Sequence, residues 1–179
     1  WAETPTEYSS NLAYILGTNS IKKNYTLYAV WKKCTKHDYT GGICNKCHYE
    51  YPLTVESMNL RYYVVTNAEG CSYYNRAYSK NSTKYGVFSK NTVLKVIATT
   101  VNEEGNRWYK TSDGYWFYGG NVTRRYTVTY DSRGGTPTPA TQYFLAGKTL
   151  TLSTVKPTKV GYLFDGWTNS PNGTVACYD

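Results

Sequence analysis

Hydrophobic and polar positions alternate in short runs along this chain rather than recurring at helical spacing. The runs lie closest together between Asn59 and Thr123. Residues 62–65, 93–99, 108–111 and 115–118 are rich in aromatic and β-branched side chains, and each reads as a strand. Turn material separates them at Asn67-Ala68-Glu69-Gly70, Asn102-Glu103-Glu104-Gly105 and Asp113-Gly114. Asp113-Gly114 is the strongest hairpin signal, because a tight primed turn needs positive φ. From Val93 to Ala98 the alternation is imperfect, as in a small barrel whose strands bend from one face to another. No helix of useful length can be drawn here. The expected fold class is mostly β, with a small, strongly bent barrel at the centre.

The flanks carry strands but too few of them to bury a core. Residues 1–33 are polar turn material until Tyr25–Trp31, where Tyr25, Leu27, Ala29 and Trp31 fall on one face. Residues 125–179 alternate over 126–130, turn at Asp131-Ser132-Arg133-Gly134-Gly135 and alternate again over 148–153. They then run through Lys156-Pro157-Thr158-Lys159-Val160-Gly161-Tyr162-Leu163-Phe164-Asp165-Gly166-Trp167. Trp31 and Trp167 each end an apolar run and are expected in cores.

The central order of strands, with Tyr-Asn-Arg-Ala-Tyr at 74–78, Gly86 to Val96, Trp108-Tyr109-Lys110 and Gly114 with Trp116, resembles a bacterial SH3-like domain. That family belongs to secreted wall proteins, and the resemblance covers about a third of the chain. The sequence departs from it where Asn75 and Arg76 are adjacent, and at Asn91, where the family usually has Gly. The stretch YTVTYDSRGGTPTP…KPTKVGYLFDGW is similar to the opening half of the Listeria–Bacteroides (internalin B-type) repeat, and YTLYAVW to its closing strand. The resemblance implies small β-grasp-like modules used in tandem on bacterial surface proteins. Four segments follow. Residues 1–33 are the end of one repeat, 34–58 a zinc-knuckle-like linker, 59–124 an SH3-like barrel, and 125–179 the start of a second repeat. The strand at 25–31 could then complement the second half-repeat, within the chain or between molecules.

Composition narrows the class. Among 179 residues there are 21 Tyr and one Met, which suits exposed β-surfaces. No run approaches a membrane span, and the opening at Trp1 without a leader reads as a fragment of something larger. The net charge is +8, and nine basic against four acidic residues lie within 59–124. These charges are scattered rather than blocked, so a nucleic-acid partner is not expected, and solvated strand faces weigh against a dedicated polyanion site.

Cys34, His37, Cys44 and Cys47 fit C-x2-H-x6-C-x2-C, with Gly41-Gly42 permitting the chain to return. A Cys-x-x-Cys turn brings two thiolates to one ion, and this donor set favours Zn²⁺ in a closed Cys₃His site, with His48 as a spare ligand. A disulfide at Cys44–Cys47 or at Cys34 is the alternative in an oxidising compartment. Cys71 and Cys177 read as isolated thiols.

Catalytic chemistry is not expected. Both histidines lie in the metal-like segment, Glu103-Glu104 sits in a turn, and no Gly-rich phosphate loop precedes a helix. Aromatic clusters are the remaining candidates. The SH3-like resemblance implies a ligand groove where the long loop meets the barrel, at Tyr73, Tyr74, Asn75, Arg76 and Trp116. Trp108 and Trp116 read first as core; Tyr73 and Tyr74 stay open between core and groove. The expected function is a non-catalytic, extracellular module that binds peptidoglycan peptide or an anionic wall polymer. The alternatives are a structural stalk, or a segment that adheres to a host surface protein or glycan.

Overall fold

The computed structural model describes residue 29, residues 31–59, 61–67 and 70–173, and residue 177. It is almost entirely β. Among the described residues the one helical element is a single 3-10 turn, Gly119–Asn121. The strand expected over 25–31 lies outside the described residues except for Ala29 and Trp31.

Among the described residues twelve strands form three sheets. β1 (Tyr39–Thr40) and β2 (Ile43–Cys44) make a two-residue hairpin. The six-stranded sheet contains β3 (Glu56–Ser57), β5 (Cys71–Tyr74), β6 (Lys84–Phe88), β8 (Ala98–Val101), β9 (Arg107–Lys110) and β10 (Trp116–Tyr118). Its order is β3-β8-β9-β10-β5-β6. The four-stranded sheet contains β4 (Tyr63–Thr66), β7 (Val93–Lys95), β11 (Val122–Val128) and β12 (Gln142–Leu145), in the order β12-β11-β4-β7. All pairings are antiparallel.

The mostly-β expectation holds, but the small bent barrel expected at the centre does not close: two sheets pack face to face. The strand read across 93–99 shows why. Val96 donates its N–H to Tyr62 O at 2.8 Å, on the four-stranded sheet, while Ile97 donates to Lys110 O at 2.9 Å, on the six-stranded sheet. Consecutive amides thus serve different sheets, and the irregular alternation there is the trace of this crossing. Val64, Cys71, Leu94, Val96 and Phe117 fill the space between the sheets.

The turns follow backbone chemistry. Thr111 donates its N–H to Tyr115 O at 2.9 Å and Gly114 donates to Thr111 O at 3.0 Å, so Ser112-Asp113-Gly114 is a three-residue loop with Gly114 at φ 88°. The two-residue primed turn read from Asp113-Gly114 is corrected to this form, in which glycine supplies the left-handed residue after a tight turn. The β8–β9 hairpin repeats the device, with Gly105 at φ 76°. Asn91, the departure from the SH3-like pattern, has φ 62°, a conformation that Asn reaches more readily than most residues.

Among the described residues β11 is the longest strand, and it belongs to two neighbours. Val122–Arg125 pairs with Thr66–Tyr63 of β4, and Arg125–Val128 pairs with Leu145–Gln142 of β12. A boundary at 124 therefore falls inside one continuous strand. Beyond it, Tyr130 packs edge-on against Trp167 with ring centroids 4.9 Å apart, and Trp167 meets Phe164 at 5.1 Å. These rings border an open trough of about 900 Å³, lined also by Val128, Leu150 and Leu152. Residues 148–153, expected as a strand, form no ladder. The expectation that Trp31 is core is also corrected: it is 89% exposed, because no described element packs over it.

Candidate metal centre and adjoining groove

Between β1 and β2 the chain reverses on Gly41 and Gly42, at φ 57° and 77°, a pair of left-handed residues that glycine adopts without strain. Cys44 O then accepts the His48 N–H at 2.9 Å, closing the Cys-x-x-Cys turn, and the Cys44 N–H donates to Tyr49 O at 2.9 Å. These bonds bring Cys44 and Cys47 to one side, where Cys34 and His37 arrive from the preceding segment.

The four donor atoms lie within 4.8 Å of one another. Tetrahedral zinc with sulfur at its usual bond length separates its ligands by about 3.8 Å, so only a small contraction is needed. Cys47 Sγ lies 3.3 Å from His37 Nδ1. Cys34, Cys44 and Cys47 form no disulfide, and a disulfide would require two donors to converge rather than four. Burial alone pushes the Cys44 thiol up. Backbone hydrogen bonds at Asp38, Lys46 and Cys47, with His37 adding, outweigh that and hold it at about 5. The Cys34 thiol is raised by its own burial and then by Cys47 and Cys44. The two neighbouring sulfurs disfavour the ionised form of Cys34, which a cation among them reverses. The cluster can hold a metal ion. His48, the spare ligand, is not among the four and instead takes φ 58° in the turn.

The hairpin is docked on the sheets rather than strung between them. Gly42 donates its N–H to Glu103 Oε1 at 2.8 Å, and Asn81 Nδ2 donates to Thr40 O at 2.7 Å. A Cβ on Gly42 would stand 2.5 Å from the Tyr78 ring, and one on Gly41 2.7 Å from Lys80. Tyr78 is buried, and that burial, followed by the neighbouring Glu103 carboxylate, pushes its phenol up. After the hairpin, residues 49–54 run as a strap over the outer face of the six-stranded sheet. Leu53 packs on Ala77, Trp108 and Trp116, and Thr54 O accepts the Thr100 hydroxyl at 2.6 Å.

Strap and sheet leave a groove of about 370 Å³ between them, lined by Tyr49, Glu50, Tyr51, Asn75, Arg76 and Trp116. Three of the five residues expected at a ligand groove meet here. Arg76 lies 3.7 Å from Glu50, donates from Nη1 to Asn81 O at 3.4 Å, and stands over the Tyr78 ring at 5.3 Å. Asn75 Oδ1 accepts the Thr83 N–H at 2.8 Å and closes the neck of the long loop. Trp116 is buried, as its core reading expected, with one side towards the groove.

The two tyrosines lie elsewhere. Tyr73 pairs in register with Phe117 and points into the space between the sheets, stacked on Phe88 at 4.3 Å and near Tyr115 at 4.8 Å. Tyr74 packs edge-on to Trp108 at 5.9 Å. The sequence reading did not anticipate the strap residues Tyr49, Glu50 and Tyr51. Their only signal is the alternation of Tyr49, Tyr51 and Leu53 directly after the second Cys-x-x-Cys cysteine.

No curated protein and no solved structure matches the chain. Residues 126–179, the segment that begins inside β11 and carries the Tyr130–Trp167 trough, match the model of the Listeria-Bacteroides repeat domain.

Proposed function

We propose that this chain is a non-catalytic module of a secreted or cell-surface bacterial protein, and that it binds peptidoglycan peptide or an anionic wall polymer in the groove beside Arg76. The repeat at 126–179 supports the surface setting. No helix among the described residues is long and apolar enough to cross a membrane. The observation that carries the binding reading is a guanidinium on the wall of a groove whose other sides are Tyr49, Tyr51 and Trp116. Aromatic faces and a fixed Arg suit a short peptide carboxylate or a phosphate-bearing polymer. The groove's volume lies in the range of small-ligand sites. Region 59–124 is read as SH3-like, with the long loop at 75–83 forming one wall.

The test is retention of the chain on purified bacterial wall at low salt. Arg76→Ala should weaken retention about tenfold or more, the loss of one charge-assisted hydrogen bond. Glu50→Gln, which releases Arg76 from its ion pair, should strengthen it. A folded Arg76→Ala chain that binds as tightly as the unaltered one would sink the groove.

We also infer that the Cys34, His37, Cys44 and Cys47 cluster holds zinc, since three thiolates and an imidazole form a soft tetrahedral donor set. Elemental analysis of reduced chain should find near one zinc per molecule; a metal-free protein after zinc loading would contradict this. A second reading, a rigid spacer within a larger surface protein, is favoured by β11, which runs from the two-sheet unit into the repeat without a linker. Failure to bind wall at any salt concentration would leave that reading.

A further inference from the structure

We propose that the metal at Cys34, His37, Cys44 and Cys47 also shapes the ligand groove: it holds the 49–54 strap on the outer face of the six-stranded sheet, and the groove forms only in the loaded chain. The proposal rests on reading the cluster as a metal centre and the groove as a ligand site. It adds that the second depends on the first.

The strap takes its position from the hairpin. Tyr49 O accepts from Cys44 N–H at 2.9 Å, Tyr51 N–H donates to Gly42 O at 2.9 Å, and Glu50 bridges to Ile43. The groove wall is thus the third strand-like layer of the β1–β2 unit. That unit has two residues in each strand, and a ladder this short does not hold its shape in water without a further constraint. Cross-linking Cys34 and His37 to Cys44 and Cys47 through one ion supplies it.

The hairpin in turn locks the opposite wall. Gly42 N–H reaches Glu103, Thr40 O accepts from Asn81, and the glycine faces lie against Tyr78 and Lys80 in the long loop. Both walls of the groove, 49–54 and 75–82, therefore hang on the same small unit. Beneath them lie Trp108 and Trp116, buried on a face that a two-sheet unit without the strap would leave open to water.

The experiment uses the full chain with Trp1, Trp31 and Trp167 replaced by Phe, so that fluorescence reports Trp108 and Trp116 alone. Zinc is loaded under reducing conditions, quantified, and then withdrawn with a chelator. On withdrawal the emission should move to longer wavelength. Amide exchange over 49–54 and 75–82 should become about tenfold faster or more, while β4, β7 and β11 keep their protection. Retention on wall should fall with the same chelator dependence.

Gly42→Ala provides a second route. Its Cβ strikes the Tyr78 ring while leaving all four ligands in place, so this variant should keep its zinc yet show the red-shifted emission and fast exchange at 75–82. Zinc leaving with emission and exchange unchanged would overturn the coupling and leave the metal site standing. A chain that takes up no zinc would overturn both. Emission and exchange responding to the metal while wall retention does not would uphold the coupling and remove the wall ligand instead.

Discussion

Arg124 and Arg125 stand on opposite faces of β11, and each is held between two tyrosines. The Arg124 guanidinium lies 3.5 Å over the Tyr62 ring and 5.4 Å from Tyr126. Arg125 lies 5.0 Å from the Tyr63 ring and 4.3 Å from Tyr143. One ring of each pair comes from residues 62–63 and the other from the repeat, so these side chains pin the seam through planar stacking. Arg124→Ala should lower stability by about 1–2 kcal/mol, and Arg124→Lys should recover only part of that, because an ammonium cannot stack. Urea midpoints measure both; equal stability of the Ala variant and the parent would dismiss the clamp. The sequence showed this pair only as two adjacent positive charges. Stacking depends on which tyrosines the register brings opposite, and no local pattern carries that information.

The hairpins of the six-stranded sheet depend on glycine for two separable reasons. At Gly114 a Cβ would meet nothing within 4 Å, so the constraint is φ 88° alone. At Gly86 a Cβ would stand 2.5 Å from Tyr73 Oη, so the constraint is the ring lying across the strand. Gly114→Ala should cost about 1 kcal/mol and Gly114→Asn less, since Asn tolerates left-handed backbone. Gly86→Ala should cost more and disturb the Tyr73 environment, visible in its aromatic proton shifts. Equal penalties at the two positions would contradict this separation. Much of the architecture at this scale was legible. The strands read at 62–65, 108–111 and 115–118 lie within a residue of those observed, 93–99 divides into β7 and β8, and β5 and β6 were not read. The Cys/His spacing alone marked out the four donors that converge. That the barrel would stay open was not legible, because period-2 patterning says which residues are buried but not whether two sheets join along their edges. Trp31 misled for a related reason: an apolar run states a capacity for burial without naming what will cover it.

For the whole molecule, what lay beyond the sequence is the long-range fitting of the metal hairpin and its strap onto the sheets. Gly42 and Glu103, 61 positions apart, meet across it. That contact turns residues 34–58 from apparent spacer into one wall of the groove. The repeat, by contrast, was recognisable from its residues, and the match at 126–179 agrees with that reading. Since β11 is shared, the two-sheet unit and the repeat should melt together. Inserting two glycines between Arg125 and Tyr126 should split a single thermal transition into two by calorimetry. A parent that already melts in two steps would show that the strand's continuity couples nothing.

Arg125 sits in both ladders at once, opposite Tyr63 on one side and Leu145 on the other. A tether joining modules through loose chain absorbs a tug as slack before any module feels it. Here there is no slack to take up at this joint. Load arriving at the repeat passes along one backbone to β4 within the same four-stranded sheet, and the pair swings as a single lever rather than as beads on a string.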